Sequence, residues 1–212
     1  MKKCFRYLML FNLPNYASAL GIAGILLAGC YITRVPLSGR GLFYGYFNMF
    51  PSMLLLSALL SGTAFCTSSL NHALSCGARR RDYFWGMQGV MVVNTVVYSL
   101  MNALFLALPQ ILNWHPNFNG AQFSPVFPLT MFTVHALGCA VGRLYIKSRT
   151  WAGIITGLSI FLLLLNPIYD TITAHTGSHW GDLPWLLILS SLFICLVCEL
   201  WTFSVILDAD VR

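Results

Sequence analysis

"GMQGVMVVNTVVYSLMNALFLAL", residues 86–108, contains no charged side chain. At the 1.5 Å rise of an α-helix such a run crosses a hydrocarbon layer about 30 Å thick. Pro109, which lacks the N–H that a helix interior needs, marks its expected end. Within it Asn94, Tyr98 and Asn102 recur at i, i+4 and i+8, with Thr95 and Ser99 alongside. A polar stripe on an apolar helix needs hydrogen-bond partners or a water-filled path when it lies in lipid. Interhelical bonding and the lining of a translocation route are both open readings of that stripe.

The rest of the chain has the same character. Hydrophobic residues make up 58% of the 212 residues and charged residues 8%, against about 25% charged in a soluble domain. The mean hydropathy is +0.73. The apolar runs are continuous rather than alternating, so the spans are helices and not the strands of a barrel. The expected fold is all-α: a single polytopic membrane domain over residues 1–212 with six transmembrane helices, at about 14–33, 43–66, 86–108, 126–146, 151–169 and 184–206. Pro128 and Pro184 stand near the starts of the fourth and sixth, where proline is tolerated.

Orientation follows from the basic residues. One side of the six-span arrangement holds Lys2, Lys3, Arg6, Arg79, Arg80, Arg81, Arg143, Lys147, Arg149 and Arg212, and the other only Arg34 and Arg40. That split of ten against two predicts a multi-pass cell-membrane protein with both termini cytoplasmic. The "LAGC" at 27–30 resembles a lipoprotein cleavage signal, but Pro14 and Asn15 interrupt the apolar region before it, and the segment reads as a first transmembrane helix.

No enzyme chemistry is legible. The chain has no Walker A glycine loop, no G-x-S-x-G and no H-E-x-x-H. The seven cysteines lie mostly within or beside the spans, so no external disulfide framework is expected, and Cys195-x-x-Cys198 reads as apolar packing. His175 and His179, with Asp170, Asp182 and His115, are ordinary loop residues by default, and no metal site is predicted from them. His135 alone lies deep in a span, whereas a bis-histidine haem needs two. Asn48, Asn94, Tyr98, Asn102 and His135 are the candidate pathway residues, and Glu199 is an intramembrane acid with either a structural or a proton-coupling role. Ala17, Gly21, Gly24 and Ala28 form a small-residue stripe on the first helix, suited to close packing against another helix of this chain or of a second one.

One cluster of charge stands out: "SCGARRRDYFWG", residues 75–86, holds three of the twelve Lys and Arg in a row between the second and third spans. With the six-span layout, "LNHALSCGARRRDYFWGMQG" resembles the corresponding segment of the permease subunits of ATP-binding cassette exporters of the ABC-2 type. The matching positions are Leu74, Gly77, Arg79, Arg80, Arg81, Asp82, Tyr83, Phe84, Trp85 and Gly86. The resemblance implies that residues 68–85 form a cytoplasmic coupling element docked on a separate ATPase subunit, with the aromatics as anchors. ATP and Mg would reside on that partner, with no cofactor on this chain. A second permease chain would complete the pathway, and the cargo would be hydrophobic or amphipathic: a peptide, a lipid-like molecule or a drug. Membrane lipid is an expected partner of the arginines and nucleic acid is not. Two other readings remain: the substrate-binding membrane subunit of a vitamin-type importer, with Ala19-x-x-x-Ala23 as a docking motif, and a redox or assembly subunit.

Overall fold

The structure, a computed structural model, describes residues 2–33, 42–111, 126–161 and 184–208, without the side chains of 30–33, 42–49, 109, 110, 184–187, 207 and 208. The described residues form helices and no strand. Helix α1 is Lys2–Thr33, and α2 is Leu42–Ala64. A π turn, Phe65–Ser69, joins α2 to the short α3, Leu70–Ser75. Then come α4, Arg80–Ile111, α5, Phe127–Lys147, α6, residues 149–161, and α7, Pro184–Asp208. Five segments are long and apolar enough to cross a membrane: Lys2–Gly29, Phe50–Ser75, Arg80–Leu108, Phe127–Lys147 and Ile188–Ile206. The span expected at 151–169 is described only as far as residue 161.

Three boundaries differ from the sequence reading. Helix α1 runs through Pro14 instead of starting there. The polar residues that look like an interruption are bonded: Asn15 Nδ2 donates to Asn12 Oδ1 at 2.7 Å, and Asn12 Nδ2 to Asn94 Oδ1 on α4 at 2.7 Å. The second span continues past residue 66 through the π turn to Ser75. Helix α4 begins at Arg80 rather than Gly86, with Asp82 in its first turn, where the helix dipole favours a carboxylate.

Helix α4 is built inside out relative to a soluble helix. Val92, Val96, Leu100 and Leu104 are 53–62% exposed, while Asn94, Tyr98 and Asn102 are 0–2% exposed. Apolar groups outside and polar groups inside is the arrangement that a lipid solvent selects. The apolar residues Leu10, Leu13, Leu20 and Ile25 of α1 and Leu189, Phe193, Leu196 and Leu200 of α7 likewise point outward.

Helix α5 is central, pairing most extensively with α2 and also with α7, while α1 lies along α4. Glycines set the α2–α5 separation. A Cβ placed on Gly138 would stand 2.3 Å from Leu59 O, one on Gly142 2.5 Å from Thr63 O, and one on Gly62 2.4 Å from His135 O. Lipid offers no hydrophobic drive between helices, so such backbone contact is the main source of their attraction. The remaining core divides into one cluster around Tyr83, Met87 and Cys139 and another around Leu54, Tyr98 and Met131. In the second, Phe50 and Phe105 stack at 4.1 Å.

Gly138→Ala is expected to force α2 and α5 apart and destabilise the bundle by about 1–3 kcal/mol or more, as overpacking does. Gly24→Ala meets nothing within 4 Å and should leave thermal unfolding in detergent unchanged. Equal melting behaviour of the two variants would refute the backbone contact.

Candidate functional site

The arginine segment is not an extended loop. Only residues 76–79 lie outside helix, and they form a tight turn. Gly77 N donates to Leu74 O at 3.0 Å and Ala78 N to Ala73 O at 3.0 Å, the paired bonds of a Schellman cap. Gly77 has φ of 81°, a conformation that glycine adopts without Cβ strain. Tyr83 N donates to Arg79 O at 2.9 Å, starting α4 at once. Leu74 is half-buried against the first core cluster.

The aromatic run divides in two. Trp85 is exposed, with Arg79 and Arg81, and Arg80 and Asp82 are half-buried. Tyr83 and Phe84 are core residues, 0% and 7% exposed. The expectation that all three aromatics anchor a partner therefore does not fit this arrangement, because residues at the start of α4 alternate between the outside and the packed face every few positions. Tyr83 Oη donates to Phe65 O at 2.6 Å, at the first residue of the π turn. That buried bond ties the start of α4 to the π turn. Phe84 packs edge-on against Phe203 of α7 at 4.9 Å.

Beside the turn a cavity of about 540 Å³ opens between the first residues of α1 and the α3–α4 connection. Lys2, Lys3, Arg79 and Asp82 supply its charge, and Cys4, Tyr7 and His72 its walls. The Tyr7 and His72 rings stack at 5.8 Å. Three cations against one carboxylate make it a basic pocket.

The candidate pathway residues are closed in. Asn94 Oδ1 accepts from Asn12 Nδ2 and from Tyr16 Oη. Tyr98 Oη shares a hydrogen bond with Ser57 Oγ at 3.1 Å, and the Tyr16 and Tyr98 rings meet edge-on at 5.5 Å. Asn94 Nδ2, Ser99 Oγ and Asn102 Oδ1 are buried without a partner among the described residues. His135 is fully buried, with Nε2 3.3 Å from Ser61 Oγ and its ring stacked on Phe65 at 5.6 Å. The side chain of Asn48 lies outside the described residues, as do Cys30, His115, Asp170, His175, His179 and Asp182. Glu199 does not pair with an arginine in the interactions described: its Oε2 accepts from Gln88 Nε2. Arg143 instead donates through Nη2 to Val205 O at 3.2 Å.

Ala17, Gly21, Gly24 and Ala28 are exposed on the face of α1 away from the described bundle. The close contacts within the chain belong to Gly62, Gly138 and Gly142, whose signal was present as the G-x-x-x-G of "GCAVG", 138–142. Cys4, Cys66, Cys76, Cys139, Cys195 and Cys198 are free thiols. No three His, Cys, Asp or Glu side chains among the described residues gather as metal ligands.

Two substitutions probe this geometry. Tyr83→Phe keeps the ring but removes the buried bond to Phe65 O, and should cost about 0.5–1.5 kcal/mol, the net contribution of a typical hydrogen bond, while Trp85→Ala leaves the melting temperature unchanged. Asn94→Ala strands Asn12 and Tyr16 together, and should cost about 1–2 kcal/mol, at the upper end for intramembrane hydrogen bonds. Thermal unfolding in detergent measures both, and a silent Asn94→Ala would show that the network contributes no stability. No family model, curated protein or solved structure matches the chain, so the site is read from its own chemistry.

Proposed function

We propose that the chain is the membrane-spanning permease subunit of an ATP-driven transporter, exporting a hydrophobic or amphipathic cargo. In this reading six helices cross the membrane, with α6 beginning the fifth, and both termini are cytoplasmic in accord with the ten-to-two split of basic residues. ATP and Mg belong to a soluble ATPase partner, and this chain performs no hydrolysis.

The observation that carries the reading is the tight turn at residues 76–79, with Arg79 exposed on it, Arg81 and Trp85 exposed on the first turns of α4 and the basic cavity beside it. Exposed arginine and tryptophan side chains are typical anchors of a protein interface. The same turn is stiffly joined to the bundle through the Schellman cap and the Tyr83–Phe65 bond. A push on the turn from a closing ATPase pair is thus passed to α3, α4 and the π turn as one body, which suits a coupling element. The anchoring role moves from Tyr83 and Phe84 to Trp85 and the arginines.

The buried state of Asn94, Tyr98 and Asn102 corresponds to a closed route in this scheme. Opening it requires α1 to separate from α4, breaking the Asn12–Asn94 bond. The exposed small-residue face of α1 is where a second permease chain would pack.

Arg79→Ala with Arg81→Ala tests the docking face. The variant retains eight of the ten inside cations, so its insertion should be normal. Purified from native membranes in mild detergent, the unaltered chain should carry a soluble subunit with ATPase activity, and the double variant should lose it. Retention of that ATPase at full stoichiometry by the variant would remove the docking role from this turn.

A further inference from the structure

We propose that Cys66, Cys139, Met87 and Met91 form a binding site for a soft monovalent metal ion, Cu(I), held by two thiolates and two thioethers inside the bundle. The site is independent of the transporter reading.

The four side chains come from three elements: Cys66 from the π turn, Met87 and Met91 one turn apart on α4, and Cys139 on α5. All four are 0% exposed. Cys66 Sγ lies 3.8 Å from Met87 Sδ, Cys139 Sγ 3.9 Å from Met87 Sδ, and Cys139 Sγ 4.0 Å from Met91 Sδ. A tetrahedron of sulfurs about 2.3 Å from its centre, the length of a metal–thiolate bond, has edges of roughly 3.8 Å. These three of the six edges, at 3.8–4.0 Å, are close to that length.

Sulfur is also concentrated here. Five of the fifteen buried members of this core cluster are Cys or Met, against one of twelve in the other cluster. A π turn at Cys66 points the same way, since such turns recur where a helix positions a functional side chain.

The donor set selects the ion. Thioethers are soft and neutral, poor ligands for Mg or Ca, and with thiolates they favour Cu(I). On binding, Cu⁺ replaces the two thiol protons, which pass to water; the copper stays monovalent, and the centre carries one negative charge. Arg143, one turn beyond Cys139 on α5, is 8% exposed, and its Nε has no partner among the described residues. That buried cation offsets the charge of the bis-thiolate centre.

The test uses the full chain in detergent under anaerobic, reducing conditions, with Cu(I) supplied as its bicinchoninate complex. The chain should withdraw one equivalent, and X-ray absorption should show a sulfur-only shell at about 2.3 Å. Cys66→Ser with Cys139→Ser should abolish uptake, while Cys76→Ser with Cys195→Ser should not. Met87→Leu with Met91→Leu conserves volume, keeping the fold testable, and should weaken retention by at least about tenfold, the lower limit for altered outer-shell groups. No uptake by the unaltered chain, a nitrogen or oxygen shell, or equal uptake by the Cys66/Cys139 variant would each reduce the cluster to ordinary sulfur packing.

Discussion

The contact between the backbones of α2 and α5 fixes most of what surrounds it. With Gly62, Gly138 and Gly142 at the seam, carbonyls of one helix sit where side chains of the other would otherwise begin. This places His135 beside Ser61 and Phe65. Larger residues at those glycines would hold the helices apart and dissolve each of these contacts together. In lipid, where apolar surface gains nothing by leaving its surroundings, shape complementarity of this kind replaces the hydrophobic effect as the organising force.

The polar groups complete that arrangement. Asn12, Tyr16 and Asn94 join α1 to α4 through one shared acceptor, so amide and phenol chemistry adds to the apolar burial of Leu8 and Ala19 in holding α1. The bond is specific in register but modest in strength, since alternative partners also exist for such groups in a membrane. The partnerless Asn94 Nδ2 and Asn102 Oδ1 on the same interface show that its hydrogen bonding is incomplete among the described residues.

Much of the helical layout was legible because a transmembrane run of apolar residues is a strong, local signal. Residues 86–108 and 126–146 correspond closely to the apolar parts of α4 and α5. What sequence could not resolve was direction around the helix axis. Tyr83, Phe84 and Trp85 are consecutive aromatics, yet two enter the core and one faces outward. Their fates depend on where α4 begins, and a helix start obscured by three arginines gives no clear phase. Small residues were equally ambiguous. The stripe at Ala17–Ala28 and the pair Gly138 and Gly142 have the same spacing logic, and only the position of the neighbouring helix distinguishes an exposed face from a buried seam. The Cys66–Cys139–Met87–Met91 cluster is assembled from distant segments, and only the i, i+4 pair Met87 and Met91 carries a linear spacing.

The π turn at Phe65–Ser69 has a geometric consequence for the arginine turn. An extra residue in one helical turn changes the azimuth of everything beyond it by about 100° relative to an uninterrupted α-helix. Leu70 and Ala73 face the core because of that phase shift, and the α3–α4 turn points where it does for the same reason. The compass bearing of the exposed arginines is thus encoded by chain length within one helix. Loss of a single residue from 65–69 would swing them around the bundle while leaving their own sequence intact.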